Sequence, residues 1–221
     1  MIRRFAIAAL VILTFGAESR AEPVVDLTQP TLRPIPIAIT DFFGATGPDG
    51  TFGADIARVV AADLERSGLF KPIDPQAFIQ TPESLRAQPR FGDWRVINAE
   101  ALVTGTTTTE ADGRLKVEFR LWDVFGESQM TGLAYFSTPE NWRRVAHIIA
   151  DSIYKRITGE EGYFDSRIVY IAESGPQDRR VKRLAIMDQD GENHRFLTDG
   201  NNLVLTPRFS PSTQEITYLS Y

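Results

Sequence analysis

The chain has 221 residues, a formal net charge of −5 and no cysteine, and 43% of its residues are hydrophobic. The acidic balance argues against nucleic acid as a partner, and the absence of cysteine excludes a disulfide framework. Stability must therefore come from a buried core, and this length is enough for one domain of ordinary size and part of another.

The first 21 residues have the organisation of a secretory signal peptide. Arg3 and Arg4 precede an apolar run, Phe5–Phe15, that is too short to span a bilayer, and Ser19 and Ala21 supply small residues for cleavage. We predict cleavage after Ala21 and an exported protein. No later run approaches the roughly 18 apolar residues of a membrane span, so no direct membrane insertion is expected.

Residues 22–34 contain several prolines, which remove backbone donors and hold the preceding residues extended. We expect an extended arm here. The apolar run Ile35–Thr40 follows, bounded by Asp41 and a glycine-rich loop, and is typical of a buried strand. From Ala54 to Ser67, apolar residues recur every four positions and stop at Gly68, which predicts a helix that packs back on that strand.

The middle of the chain predicts an antiparallel sheet. Apolar and charged residues alternate along Leu115–Leu121, so one face of this strand is apolar and the other is polar. The dipeptide Asp112-Gly113 is a hairpin signal, which pairs the strand with Ala101–Thr109. A third strand over Gln129–Phe136 completes a meander.

A long amphipathic helix follows the predicted meander. Thr138 is placed as its N-cap and Pro139 as its first residue, and an apolar stripe then continues to Gly159. We therefore predict one α+β domain over residues 35–159. A short polar linker over residues 160–166 leads to the last part of the chain.

Residues 167–221 contain the same strand pattern twice. Arg167–Ala172 and Glu215–Ser220 match in residue type at an offset of 48 residues, within the roughly 40 to 50 residues of a blade repeat. Strand-like runs over Lys182–Met187 and His194–Thr198 lie between them, joined by the turn Asp188–Asn193. The predicted fold class is thus an α+β domain followed by the start of a β-propeller, with one blade and the beginning of a second.

No motif in the sequence predicts a cofactor, a metal ion or catalysis. Gly44–Gly53 lacks the Lys-Ser or Lys-Thr of a phosphate loop, so we interpret it as a flexible connection. Asp188–Gly191 imitates the start of a calcium loop, but the later bidentate glutamate is missing, which favours a blade hairpin. His147 and His194 lie on different predicted elements without the spacing of zinc ligands. No serine occupies the G-x-S-x-G elbow of a hydrolase.

Other conspicuous side chains have structural interpretations. The carboxylates Asp63 and Glu65 share a helix, and their spacing does not aim both at one substrate, so we interpret them as solvated surface charge. The tryptophans lie on segments with an amphipathic period of their own, and we expect core or half-buried positions for Trp94, Trp122 and Trp142.

The order of these features resembles the TolB family of the Tol-Pal system. The junction Gly162–Tyr170 and the segment Ala185–Gly191 are the most specific parts, whereas Ser212-Thr213 replaces the Asp-Gly that usually follows Ser-Pro in the family's blades. The resemblance implies a periplasmic, monomeric adaptor without enzymatic activity. Its propeller would bind the lipoprotein Pal and its N-terminal arm would bind TolA, in support of outer membrane integrity and of outer membrane invagination during cell division.

The resemblance also places the TolA-binding residues at the mature N-terminus: Glu22, Pro23, Val24, Val25, Asp26 and Leu27. Their apolar side chains and extended backbone suit addition to the edge of a partner's sheet. The alternative is an exported hydrolase, in which the propeller gates a catalytic domain encoded after Tyr221. Propellers host many functions, but the sequence offers this alternative no nucleophile.

Overall fold

A mixed six-stranded sheet forms the centre of the first half of the chain. The computed structural model describes residues 33–44 and 47–221, and residues from Arg33 onward form one compact unit. In chain order the strands are β1 Ile35–Ile39, β2 Phe43–Gly44, β3 Phe70–Pro72, β4 Ala101–Thr109, β5 Leu115–Asp123 and β6 Ser128–Ser137. They are arranged β3-β1-β4-β5-β6, and β2 also pairs with β4.

The predicted meander of β4, β5 and β6 is confirmed as antiparallel. The parallel half of the sheet was not predicted. Strand β1 runs parallel to both β3 and β4, and β2 is also parallel to β4. Helical segments separate these strands in sequence, as parallel pairs require a crossover connection.

Two long helices cover one face of this sheet, α1 over Pro48–Arg66 and α3 over Trp142–Thr158. The stripe Val145, Ile149 and Ile153 of α3 is buried, because residues three or four apart share one face of a helix. These side chains join the inward residues of β5 in one core. Gly159 ends α3 with a φ of 82°, the left-handed conformation that favours glycine. No helix in the described part of the chain has the length and apolarity needed to cross a membrane.

A second core lies on the opposite face of the sheet. Ala38, Leu102 and Trp122 point to this side, since successive residues of a strand alternate between faces. The connection after β3 covers them and includes the short helix α2, Phe91–Val96, which was not predicted. Trp94 and Trp122 are buried here as expected, and the Trp122 Nε1–H donates to Thr104 Oγ1 at 3.0 Å.

Both long helices begin at positions other than those predicted. Helix α1 begins at Pro48, so the second half of the glycine-rich loop is helical and is not a flexible connection. The cause is tertiary: Thr107 Oγ1 on β4 donates to the Asp49 carbonyl at 2.6 Å. A Cβ at Gly53 would lie 2.0 Å from the Phe42 carbonyl oxygen, so glycine permits the close approach of α1 to the sheet. At α3, Pro139 opens a 3₁₀ turn, and the α-helix begins three residues later.

The last part of the chain forms two small antiparallel sheets. The first, here termed the blade sheet, contains β7 Arg167–Ser174, β8 Val181–Asp188 and β9 Arg195–Phe196 in that order. The second contains β10 Val204–Phe209 and β11 Ile216–Ser220. The two predicted copies, β7 and β11, therefore lie in separate sheets, as expected for successive blades. Strand β9 is shorter than predicted, and β10 was not predicted.

Candidate functional site

Buried and half-buried polar side chains meet where helices α1 and α3 contact the blade sheet and the turn after β8. Helix α1 contributes Asp63 and helix α3 contributes Arg143 and His147. The end of β8 and the turn after it contribute Asp188, Gln189 and Asp190. These residues are termed the junction cluster: Asp63, Arg143, His147, Asp188, Gln189 and Asp190.

His147 lies at the centre of the junction cluster. Its imidazole Nδ1 is 2.5 Å from Asp63 Oδ2, and the side chains of the two residues are 2% and 0% exposed. The other nitrogen, Nε2, is 3.6 Å from Asp190 Oδ2 and has no hydrogen-bond partner among the described residues. One imidazole thus faces a carboxylate of the α+β domain on one side and a carboxylate of the blade sheet on the other.

The turn after β8 is held to the α+β domain by further hydrogen bonds. The Arg143 guanidinium donates to Asp190 Oδ2 from Nη2 at 2.6 Å and from Nε at 3.0 Å. Gln189 Nε2 donates to Asp63 Oδ1 at 3.0 Å, across 126 residues of sequence. The Gln189 backbone N–H donates to the Ser166 carbonyl at 3.1 Å. This turn therefore connects α1, α3 and the linker in front of the blade sheet.

The electrostatic environment favours a charged His147. Burial by itself lowers the pKa of His147. The hydrogen bond and charge of Asp63 have the opposite effect, as do the charges of Asp190 and Asp188. Together these carboxylates outweigh the burial and raise the pKa of His147 above its ordinary value. Burial raises the pKa of Asp190, but the Glu192 N–H, the Arg143 guanidinium and the His147 charge together lower it. The geometry thus suits an imidazolium between carboxylates.

The linker has a polar anchor of its own. Asp151 on α3 accepts hydrogen bonds from the backbone N–H groups of Phe164 at 2.7 Å and Asp165 at 3.0 Å. The Phe164 side chain is fully buried in the core of the α+β domain. The Arg144 guanidinium pairs with the Asp165 carboxylate at 3.0 Å. The chain is therefore fixed against α3 just before β7 begins.

Part of the junction cluster has the composition of a metal site. Ligand atoms of His147, Asp188 and Asp190 lie within 4.8 Å of one another. The residues do not fit a cation, because the Asp190 oxygen nearest the imidazole already accepts two hydrogen bonds from the Arg143 guanidinium. A divalent ion between them would meet that positive charge, and a protonated His147 has no lone pair to offer.

The junction cluster corrects one interpretation made from the sequence. Asp63 is fully buried, whereas it was expected to be solvated surface charge. The available signal was its position: Asp63 is seven residues after Ile56 and three after Val60, on the apolar stripe of α1. The interpretation of Asp188–Gly191 as a hairpin turn agrees with the structure, where this segment joins β8 to β9.

Two grooves flank these elements. A groove of about 470 Å³ lies between α3 and the blade sheet, and its lining includes Arg144, Arg167 and Arg195 together with Asp165 and Asp188. A groove of about 630 Å³ lies over the exposed half of the large sheet, next to β4, β5 and β6. The predicted cleavage site Ala21 and the predicted TolA-binding residues 22–27 lie outside the described residues.

Comparison with known proteins finds two family matches along the chain. Residues 23–130 match the family described as the TolB amino-terminal domain, and residues 154–221 match the TolB beta propeller domain. The chain belongs to the TolB family. The propeller match identifies the blade sheet and the sheet of β10 and β11 as the beginning of a β-propeller, which confirms the predicted fold class.

Individual TolB proteins give the same assignment. The chain is 65% identical over 218 residues to the Tol-Pal system protein TolB of Paramagnetospirillum magneticum, covering 98% of this chain and 49% of the relative. The crystal structure of TolB from Acinetobacter baumannii matches with a TM-score of 0.70 at 27% identity, covering 86% of this chain and 44% of that one. The chain thus spans about half the length of these relatives.

Proposed function

We propose that the protein of which this chain is the N-terminal part is a periplasmic adaptor of the Tol-Pal system, without enzymatic activity. The observation that supports the proposal is the match of both parts of the chain to TolB, with 65% identity to a Tol-Pal system TolB across 98% of its length. Export by the signal peptide of residues 1–21 delivers it to the periplasm. There it links partner proteins and supports outer membrane integrity and invagination at division.

In this proposal the arm over residues 22–34 binds TolA. Val24, Val25 and Leu27 supply apolar contacts, and the extended backbone pairs with a sheet edge of the partner. The arm precedes β1 directly, and β1 is an interior strand between β3 and β4. A load on the arm is therefore transmitted to the centre of the α+β domain.

The propeller binds Pal in the same proposal. The described part of the propeller comprises the blade sheet and the pair of β10 and β11. The junction cluster and the linker anchor fix the blade sheet to the α+β domain, so a rigid connection between the two partner-binding parts supports the adaptor role. The Pal-contacting residues lie mostly on further blades and are not assigned.

The hydrolase alternative gains no support from the junction cluster. Asp63 and His147 have the arrangement of an orienting carboxylate and a general base. A hydrolase would place a nucleophile at the free imidazole nitrogen, but Nε2 of His147 faces the Asp190 carboxylate, and the ring is 2% exposed. The pair therefore supports a structural role.

The decisive test deletes residues 22–27 from the full-length protein and measures binding to soluble TolA and soluble Pal by calorimetry. We expect TolA binding to disappear while Pal binding and the thermal unfolding midpoint stay unchanged, because the deleted residues precede every described strand of the core. A second variant of unchanged length replaces Val24, Val25 and Leu27 by serine and should also weaken TolA binding. Full-strength capture of TolA by the truncated protein would overturn the assignment of the arm.

A second test addresses the alternative. The coding sequence after Tyr221 will contain further blade repeats if the protein is an adaptor. A G-x-S-x-G elbow followed by an aspartate and a histidine would favour the hydrolase instead.

A further inference from the structure

The only histidine buried in the described residues connects the α+β domain and the blade sheet through carboxylates. Imidazole Nδ1 of His147 contacts Asp63 of α1, and Nε2 faces Asp190 of the turn after β8 across 3.6 Å. Nε2 is buried and has no hydrogen-bond partner among the residues described. A neutral imidazole that donates from Nδ1 would direct the lone pair of Nε2 at the Asp190 carboxylate, which is repulsive. A protonated imidazole presents an N–H to each carboxylate.

We propose that proton binding by His147 fastens the blade sheet to the α+β domain, and that loss of this proton loosens the junction. The contact that changes is the one between Nε2 and Asp190, because Nδ1 can donate to Asp63 in both protonation states. The proton-dependent contact is thus the one between α3 and the turn after β8. The cores of the α+β domain and of the blade sheet stay intact in both states.

Charged groups face this imidazole from every element packed against it. Helix α1 presents Asp63, which also pairs with Arg66 at 3.0 Å. Strand β8 and its turn present Asp188 and Asp190. Helix α3 presents Arg143, which donates to Asp190. The carboxylates have the larger effect on the imidazole, because the hydrogen bond and charge of Asp63 and the charges of Asp190 and Asp188 together raise the pKa of His147 in spite of its burial.

The direction of the pH dependence follows from linkage. The pKa of His147 is raised in the fastened state. The protonated imidazole therefore stabilises the junction fully below about pH 6.5, the ordinary pKa of histidine. This stabilisation is lost as the pH rises through the raised pKa. The pKa of Asp190 is lowered, so its contribution is present above about 3.9 and is lost as the pH falls through the lowered value. The junction is therefore tightest between these limits.

The test measures the distance between helix α1 and the blade sheet at two pH values. The chain has no cysteine, so spin labels can be attached to Glu65→Cys on α1 and Arg179→Cys before β8, both at exposed positions. Double electron–electron resonance then gives the distance distribution at about pH 5.5 and about pH 8.5, on either side of the ordinary histidine value. Each unit of pKa elevation in the fastened state corresponds to a tenfold change in the ratio of loosened to fastened molecules.

We expect a narrow distribution at the lower pH and a larger loosened fraction at the higher pH, because the pKa of His147 is raised in the fastened state. His147→Asn keeps a donor for Asp63 and cannot be protonated, so its distribution should be equally broad at both pH values. His194→Asn is the matched control, because His194 is exposed and lies directly before β9. The pH response of this variant should equal that of the labelled protein with both histidines intact.

Two results would overturn the proposal. One is an unchanged distance distribution between the two pH values in the labelled protein that retains His147. The other is a full pH response in His147→Asn. A carbon-13 titration of the His147 ring in the unmutated protein should also follow the change in distance, and a midpoint below 6.5 would count against the mechanism.

Discussion

Removal of the Asp63 carboxylate is expected to destabilise the chain strongly. Asp63 accepts three hydrogen bonds, from His147 at 2.5 Å, from Gln189 at 3.0 Å and from Arg66 at 3.0 Å. A hydrogen bond to a charged group contributes about 1.5–3 kcal/mol to the free energy of unfolding. The Arg66 side chain is 41% exposed, which reduces its share to the roughly 0–1 kcal/mol of a surface pair.

The two buried hydrogen bonds, from His147 and Gln189, therefore determine how much the free energy of unfolding falls. Asp63→Ala leaves the imidazole and the Gln189 amide without their acceptor, and breaking a buried pair by removal of one partner costs about 3–5 kcal/mol. Asp55→Ala is the matched control on the same helix, since Asp55 pairs with Arg58 three residues on and the Arg58 side chain is 73% exposed. We expect a loss of less than about 1 kcal/mol for this control.

Urea unfolding measures both variants. Trp94, Trp122 and Trp142 all precede the blade sheet, so tryptophan fluorescence reports on the α+β domain, while circular dichroism reports on the whole chain. Free energies of unfolding come from linear extrapolation if the two probes give the same midpoint. A loss for Asp63→Ala no larger than that for Asp55→Ala would refute the reasoning, because the buried carboxylate would then contribute no more than a surface one.

Further expectations concern helix packing and local stability. Gly53→Ala should prevent normal packing of α1, since the added Cβ would lie 2.0 Å from the Phe42 carbonyl oxygen. Gly50→Ala is the control on the same helix, because its added Cβ would lie 3.7 Å from the nearest atom. This second change should raise the free energy of unfolding in urea by up to about 1 kcal/mol. Ile149→Ala should lower the free energy of unfolding by about 2–5 kcal/mol in the same assay, because Ile149 is fully buried. The half-buried Ile148 is its control, and Ile148→Ala should lower this free energy clearly less. Equal losses would contradict the assigned core. Amide hydrogen exchange should be slow in α3 and faster in β7 to β11, because several apolar side chains of these strands are exposed among the described residues. Uniform protection would argue against this difference.

Much of the local structure follows from short-range patterns. The alternation along β5, the Asp112-Gly113 turn and the apolar stripe of α3 predict elements that agree with the structure, and Gly159 ends α3 as expected. These features depend on which face of an element is buried and on backbone conformations that only some residues adopt. Both are determined by neighbours within a few positions, so they can be inferred from the sequence.

The parallel strand pairs and the junction cluster were decided by tertiary structure. Asp63, His147 and Asp190 are separated by 84 and 43 residues, and no spacing rule connects them. Their juxtaposition requires α1 and α3 to pack side by side and the turn after β8 to reach both helices. The early start of α1 likewise depends on a hydrogen bond from β4. Periodicity indicates that a side chain is buried, whereas the partner that satisfies a buried charge is determined only when distant segments meet.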